Sequence, residues 1–247
     1  MRAAIILGSA LLLGACNISA GAQESPDGEG EGGGGGGAAK RDFQVGAFDK
    51  VALAGAHDVV VTVGGAPSVR AEGDSKVLER LDIRVEGGEL RIGTRKGVSF
   101  GFRSGKGATI YVTVPSLSAA SVAGSGDLKV DRVEGERFAA AIAGSGDIDI
   151  RSLKVGEATF DVGGSGDMRA AGTAQNARIS LAGSGDMGLE GLETRQAKVA
   201  IAGSGDVRVR AMETADISIV GSGDVVLSGP AKCTVSKMGS GEARCTG

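Results

Sequence analysis

The chain has 247 residues, of which 45 are glycine, none is tryptophan and 3% are aromatic. Such a composition excludes a bulky core and leaves a repetitive, thin-cored β architecture or a partly unstructured chain. The formal net charge of −3 gives no electrostatic footprint for nucleic acid, and a single histidine, His57, leaves little for imidazole catalysis or a zinc site.

Arg2 precedes an apolar run, Ala3 to Leu13, of signal-peptide length and too short to cross a bilayer. It ends in Leu13-Gly14-Ala15-Cys16, which resembles the bacterial lipobox. Small residues there fit the lipoprotein signal peptidase. Cleavage would fall between Ala15 and Cys16, and the Cys16 thiol would take a diacylglycerol. The alternative is plain secretion with cleavage after Ala22, because Ala20-Gly21-Ala22 is also a small-residue site. Residues 1–15 are thus read as a lipoprotein signal peptide, and 16–41 as the lipidated cysteine and a flexible tether. The tether is glycine-rich and acidic, with nothing to bury, and would span roughly 25–30 Å. Its glycine run has no preceding strand and no following Lys-Ser/Thr, so it is not a phosphate loop. The expected location is a bacterial cell envelope, lipid-anchored on the periplasmic or outer-membrane side.

Residues 42–247 read as one β-solenoid domain with its repeats in 116–247. Val59 to Val63 is the strongest early strand, ended by Gly64-Gly65. Asp74 to Arg80 reads as one helical turn capped by Asp74. Leu81 to Thr94 reads as a hairpin turning at Gly87-Gly88, and Lys96 to Gly107 as a loop. His57 and Asp58 are adjacent in an extended stretch and point to opposite faces, which argues against a dyad and for a surface or turn histidine.

Gly-Ser-Gly-Asp then begins at Gly124, Gly144, Gly164, Gly183, Gly203 and Gly221, and Gly-Ser-Gly-Glu at Gly239. The intervals are 20, 20, 19, 20, 18 and 18 residues. Around each corner, apolar residues alternate with period 2: Ala140 and Ile142 before the second copy, Ile148 and Ile150 after it. A further apolar position falls six residues after the acid at Val133, Leu153, Leu192 and Met212. A unit this short cannot bury its apolar face alone, but stacked units can. The expected fold is all-β: a right-handed parallel β-helix-like solenoid of about seven coils, preceded by a short β-rich part. An antiparallel meander is the alternative, disfavoured because every corner has one type.

The glycines suit corners that need positive φ. The acids Asp127, Asp147, Asp167, Asp186, Asp206, Asp224 and Glu242 are read as structural turn residues on the outside. Like charges about 5 Å apart repel by roughly 0.8 kcal/mol in bulk water. The outward position two residues later carries Lys129, Arg169, Arg208 and Arg244, a partly neutralising basic column. Calcium-binding rolls use a nine-residue period with a different acid position, so no metal or cofactor is expected, and calcium is kept as an alternative. Every coil carries the same acid, so no coil is singled out for catalysis. The chain is read as non-catalytic, with a polysaccharide lyase or hydrolase as the alternative. Small outward residues before each corner, such as Ala141, Ala143, Ser180 and Ala182, form a flat face. It would be tolerant surface or a docking face for a protein, a glycan or a second copy. Cys233 and Cys245 flank the last corner on inward positions and are expected to form a disulfide closing the final coil.

A lipobox, "GAHDVVVTVGG", "TIYVTVPSLSAASVAGSGD" and serial "GSGD" corners together resemble the GIN-domain family, the head domain of proposed autotransporter adhesins. The resemblance spans about Phe43 to Pro230. It implies a β-helix-like fold and an envelope adhesin, and brings no catalytic residues with it.

Overall fold

Period-2 strands that end in glycine corners stack edge to edge. A computed structural model describes residues 37–95 and 107–247. The signal peptide, Cys16 and most of the tether lie outside the described residues, as does the expected loop except for Gly107.

Eight strands carry the repeats: β8 (Ala119–Gly124), β9 (Leu128–Val130), β10 (Val133–Gly144), β11 (Ile148–Gly164), β12 (Met168–Gly183), β13 (Met187–Gly203), β14 (Val207–Gly221) and β15 (Val225–Ser228). The last coil is β16 (Lys232–Gly239) and β17 (Ala243–Thr246). All pair in parallel with like residues in register: Gly124, Gly144, Gly164, Gly183, Gly203, Gly221 and Gly239 form one column. The solenoid makes about six turns, against the seven coils expected. The seven Gly-Ser-Gly-acid corners delimit six complete turns among themselves.

The inward columns form the core. Val122, Ile142, Val162, Leu181, Ile201 and Ile219 are at most 3% exposed, and Leu128, Ile148, Met168, Met187, Val207 and Val225 at most 1%. Met212 is the exception: it is half-buried, and Ala211 faces the core in its place. The register slips here, pairing Thr194 with Ala211 and Gln196 with Thr214, because this coil is shorter. The buried Thr194 hydroxyl donates to the Arg210 carbonyl at 2.9 Å.

The β-rich N-terminal part is built into the stack rather than set before it. β2 (Lys50–Gly55) pairs in parallel with β8, and β3 (Asp58–Val63) with β9. On their far sides lie β6 (Glu89–Thr94) and β7 (Thr109–Val114), also parallel. The chain thus builds its second rung first, then the outermost rung, then crosses back at Ser118 to continue the stack. The crossing is held at Asp49, whose carbonyl accepts from the Ser118 N–H at 2.7 Å and whose carboxylate accepts from its hydroxyl at 2.6 Å.

Antiparallel strands finish this end. β5 (Leu81–Glu86) forms a hairpin with β6, turning at Gly87 and Gly88 (φ +58° and +79°). β4 (Ser68–Asp74) pairs with β7, and β1 (Ala38–Phe43) with β4. The first described strand therefore starts at Ala38, inside the stretch assigned to the tether, because residues 38–41 find an open edge on β4. Between β4 and β5, α1 (Ser75–Arg80) is capped by the Asp74 carboxylate, which accepts from the Lys76 N–H at 2.8 Å, and buries Leu78.

Among the described residues the opposite end has no such cover. β16 is exposed along most of its length, with Val235 43% and Met238 74% exposed. Lys237 stands where Ile219 packs inward one coil earlier, and its ammonium donates to the Gly241 carbonyl at 3.2 Å. An inward-pointing charge of this kind blunts a sheet edge against further pairing. Cys233 and Cys245 are disulfide-bonded, with Cα atoms 6.6 Å apart.

Candidate functional site: the corner column and its two ends

The corner motif is explained by its donors. From Gly124 to Gly203 the first-glycine carbonyl accepts two N–H groups from the next coil, as Gly124 takes Ser145 at 2.8 Å and Gly146 at 3.1 Å and Gly144 takes Ser165 and Gly166, while the Gly221 carbonyl accepts from Gly241 at 3.1 Å. The acid's own N–H would then have no carbonyl to reach. It donates instead to the carboxylate of the preceding coil's acid: Asp147 to Asp127 (3.1 Å), Asp167 to Asp147 (2.8 Å) and Asp186 to Asp167 (3.0 Å). Asp206, Asp224 and Glu242 continue the ladder onto Asp186, Asp206 and Asp224 at 2.8–3.0 Å. Aspartate is thus needed wherever another coil follows, because its short side chain places an acceptor over the next backbone N–H. No described coil pairs beyond Glu242, and its carboxylate pairs with Arg244 at 3.0 Å.

The acids therefore have a more specific task than an outer corner balanced by charge. Of the basic column, Arg169 pairs with Asp167 (3.3 Å) and Arg244 with Glu242, whereas Lys129 and Arg208 make no ion pair among the described residues. One oxygen of each ladder aspartate is committed to the backbone. No group of three or more His, Cys, Asp or Glu side chains converges as a metal cage among the described residues.

The two glycines of the corner serve different needs. The first requires positive φ, +142° at Gly144. The second, Gly146, has ordinary φ but lies buried against the coil below, where a Cβ would come 2.1 Å from the Gly126 carbonyl oxygen. Close stacking, not turn geometry, excludes a side chain there.

This accounts for His57. Register aligns Gly55-Ala56-His57-Asp58 with Gly124-Ser125-Gly126-Asp127, so "GAHD" is another rung of the same column. His57 stands at the second-glycine position. It is 1% exposed, a buried residue rather than a surface one. Its Nδ1 accepts from the Ala108 N–H at 3.2 Å, so Nε2 carries the proton and faces the Thr94 hydroxyl at 3.2 Å. Burial pushes its pKa below the usual histidine value, partly opposed by the charge of Asp58. The imidazole thus joins the two described ends of the outermost rung. The signal was present in the sequence, but the 69-residue gap between Gly55 and Gly124 hid it from a search at a 20-residue period.

The flat face of small residues lies where expected: Ala123, Ala143, Ala182 and Ala202 are exposed, and Val220 extends the column at 52% exposure. At its β2 end the face runs into a shallow hollow of about 520 Å³, floored by Ala52, Ala54 and Ala123 and walled by Arg84 and Arg91 of the hairpin. Arg84 is tied to Asp82 and Glu86, and Arg91 to Glu86 and Glu89. The hydrogen bond and charge of Arg84 hold the Glu86 carboxyl below its usual pKa.

Comparison with solved structures gives the same architecture. A "putative adhesin" from Bacteroides fragilis is 24% identical, with 85% of this chain and 97% of that one covered at a TM-score of 0.79. A "putative lipid binding protein" from Parabacteroides distasonis is 24% identical, with 86% and 98% covered and a TM-score of 0.68. A "putative adhesin" from the same species is 19% identical, with 85% and 97% covered and a TM-score of 0.67. At these identities the likeness establishes the fold alone. None of these three carries an enzyme's name. No curated protein matches the chain. The family model described as "Putative auto-transporter adhesin, head GIN domain" matches residues 47–231, from just before the GAHD rung to the start of the last coil, and the chain belongs to that family.

Proposed function

We propose that this chain is a lipid-anchored protein of the bacterial envelope that displays its solenoid as a non-catalytic surface for adhesion, binding or envelope structure. The observation that carries the reading is the equivalence of the coils. The same corner, the same backbone ladder and the same small-residue face recur from β8 to β14, and no coil carries a set of reactive groups that its neighbours lack. Such a stack offers an extended, rigid face rather than a pocket. Membership of an adhesin-like family and the lipobox with its tether support the surface location. The anchor is Cys16 and its first partner the membrane. A protein or glycan, or a second copy, would meet the outer face.

The test combines labelling and adhesion. Cells fed a labelled fatty acid should incorporate it into this chain, and Cys16→Ser should abolish the label and release the protein from membranes. Cells carrying the wild-type chain should bind an envelope-derived or host surface better than cells carrying Cys16→Ser. An unlabelled wild-type chain, or adhesion indifferent to Cys16, would overturn the reading.

A further inference from the structure

The antiparallel end carries a surface that the repeats do not have. Register places Asp42 on β1 opposite Arg70 on β4, and Arg70 opposite Tyr111 on β7, in one outward cross-strand row. Ser68 and Thr113, also paired, flank Tyr111 on one side, and Glu72 lies on the other. These residues line a concavity of about 460 Å³, within the roughly 300–1,000 Å³ usual for small-ligand sites.

Tyr111 is 44% exposed and is the one exposed aromatic ring among the described residues. Its hydroxyl has no hydrogen-bond partner among them. Beside it the polar groups are already fixed. Arg70 Nε donates to Asp42 Oδ1 at 2.8 Å, and Lys40 pairs with Glu72 at 2.8 Å. Two cations against two carboxylates leave no net charge to attract an anion. What remains is an aromatic face with positioned donors, acceptors and two hydroxyls around it. The negative face of an aromatic ring favours the weakly positive C–H edges of a saturated ring. The Arg70–Asp42 pair offers a donor and an acceptor side by side, which suits neighbouring hydroxyls on such a ring.

We infer that this concavity is a binding site for a neutral hexopyranose unit of a glycan, with Tyr111 as the stacking platform and Arg70, Asp42, Ser68 and Thr113 as its hydrogen-bonding rim. A peptide would need an apolar pocket or an open strand edge beside Tyr111, and both β4 and β7 have neighbours on both sides; among the described strands of this row only β1, which carries Asp42, has a free edge. The site deepens the reading of a displayed binding surface and rests on it.

The chain has one tyrosine and no tryptophan, so its intrinsic emission reports this site directly. The full chain is titrated with maltose, cellobiose, lactose and mannobiose, with a galacturonate dimer as the charged control. At least one neutral disaccharide should change the tyrosine emission saturably, and the charged dimer should not. By calorimetry, Tyr111→Ala should weaken that binding at least tenfold, Arg70→Ala about fivefold, and Tyr111→Phe less than threefold. Circular dichroism of each variant checks folding. A silent panel, a response to the charged dimer alone, or wild-type affinity in Tyr111→Ala would overturn the site. If the panel is silent while adhesion still depends on Cys16, the sugar site falls and the display reading stands. If adhesion ignores Cys16 while the titration saturates, the reverse holds.

Discussion

The repeats from β8 to β17 and the end built from β1 to β7 solve one problem in opposite ways. In the repeats every corner but the last has a described coil on both sides, and the sequence is repetitive because each position meets the same surroundings. At the N-terminal end the stack must stop. The chain abandons the motif, turns its strands antiparallel and lays α1 beside them. The contrast is sharpest at the second-glycine position. Between two coils it admits no Cβ. At the penultimate rung it holds a whole imidazole. The residue type follows from what lies on the far side of the rung.

The largest expected effect strikes that position. Gly146→Ala drives a Cβ to 2.1 Å from the Gly126 carbonyl oxygen and should destabilise by more than about 3 kcal/mol. Gly135→Ala, where a Cβ would meet nothing within 4 Å, should change stability by less than about 0.5 kcal/mol. Denaturant titration of the two variants compares a stacked glycine with a free one. Equal effects would end the distinction.

Next is the carboxylate ladder. Asp167→Ala leaves the Asp186 N–H without its acceptor and should cost about 1–2 kcal/mol. Asp167→Asn keeps an oxygen at that place and should recover most of the loss. Faster hydrogen exchange at the Asp186 amide in the Ala variant, and slow exchange in the Asn variant, would separate the hydrogen bond from the charge.

His57 tests the end rung through pH. Its folded pKa is lowered, so the unfolded chain binds the proton more readily. The stabilisation is complete above the ordinary value of about 6.5 and is lost as pH falls through the folded value, with a slope of at most about 1.4 kcal/mol per pH unit. Thermal melts should fall more steeply below that pH in the native chain than in His57→Gln. Parallel curves would show that the imidazole is not the group that holds the rung.

The smallest effect is expected from the basic column. Arg169, 60% exposed, pairs with Asp167 at 3.3 Å, and Arg169→Ala should cost under about 0.5 kcal/mol, less still in high salt. A cost above that of Asp167→Ala would restore charge balance as the main task of the acids.

Much of this architecture follows from the order of residues alone. Near-regular spacing of the corners, 18 to 20 residues apart, with period-2 apolar positions on both sides, was enough for a parallel stack and for the inward columns, because each coil is a local unit repeated. The capped helical turn after Asp74 and the hairpin at Gly87-Gly88 were equally local. The aspartate ladder, the reason for each second glycine and the fit of "GAHD" into the column were not. They depend on what the next coil places above a residue, about 20 positions away in the repeats and 69 for the first rung. Backbone hydrogen bonding and exclusion of a Cβ act through space, and only the stacked structure brings those partners within reach.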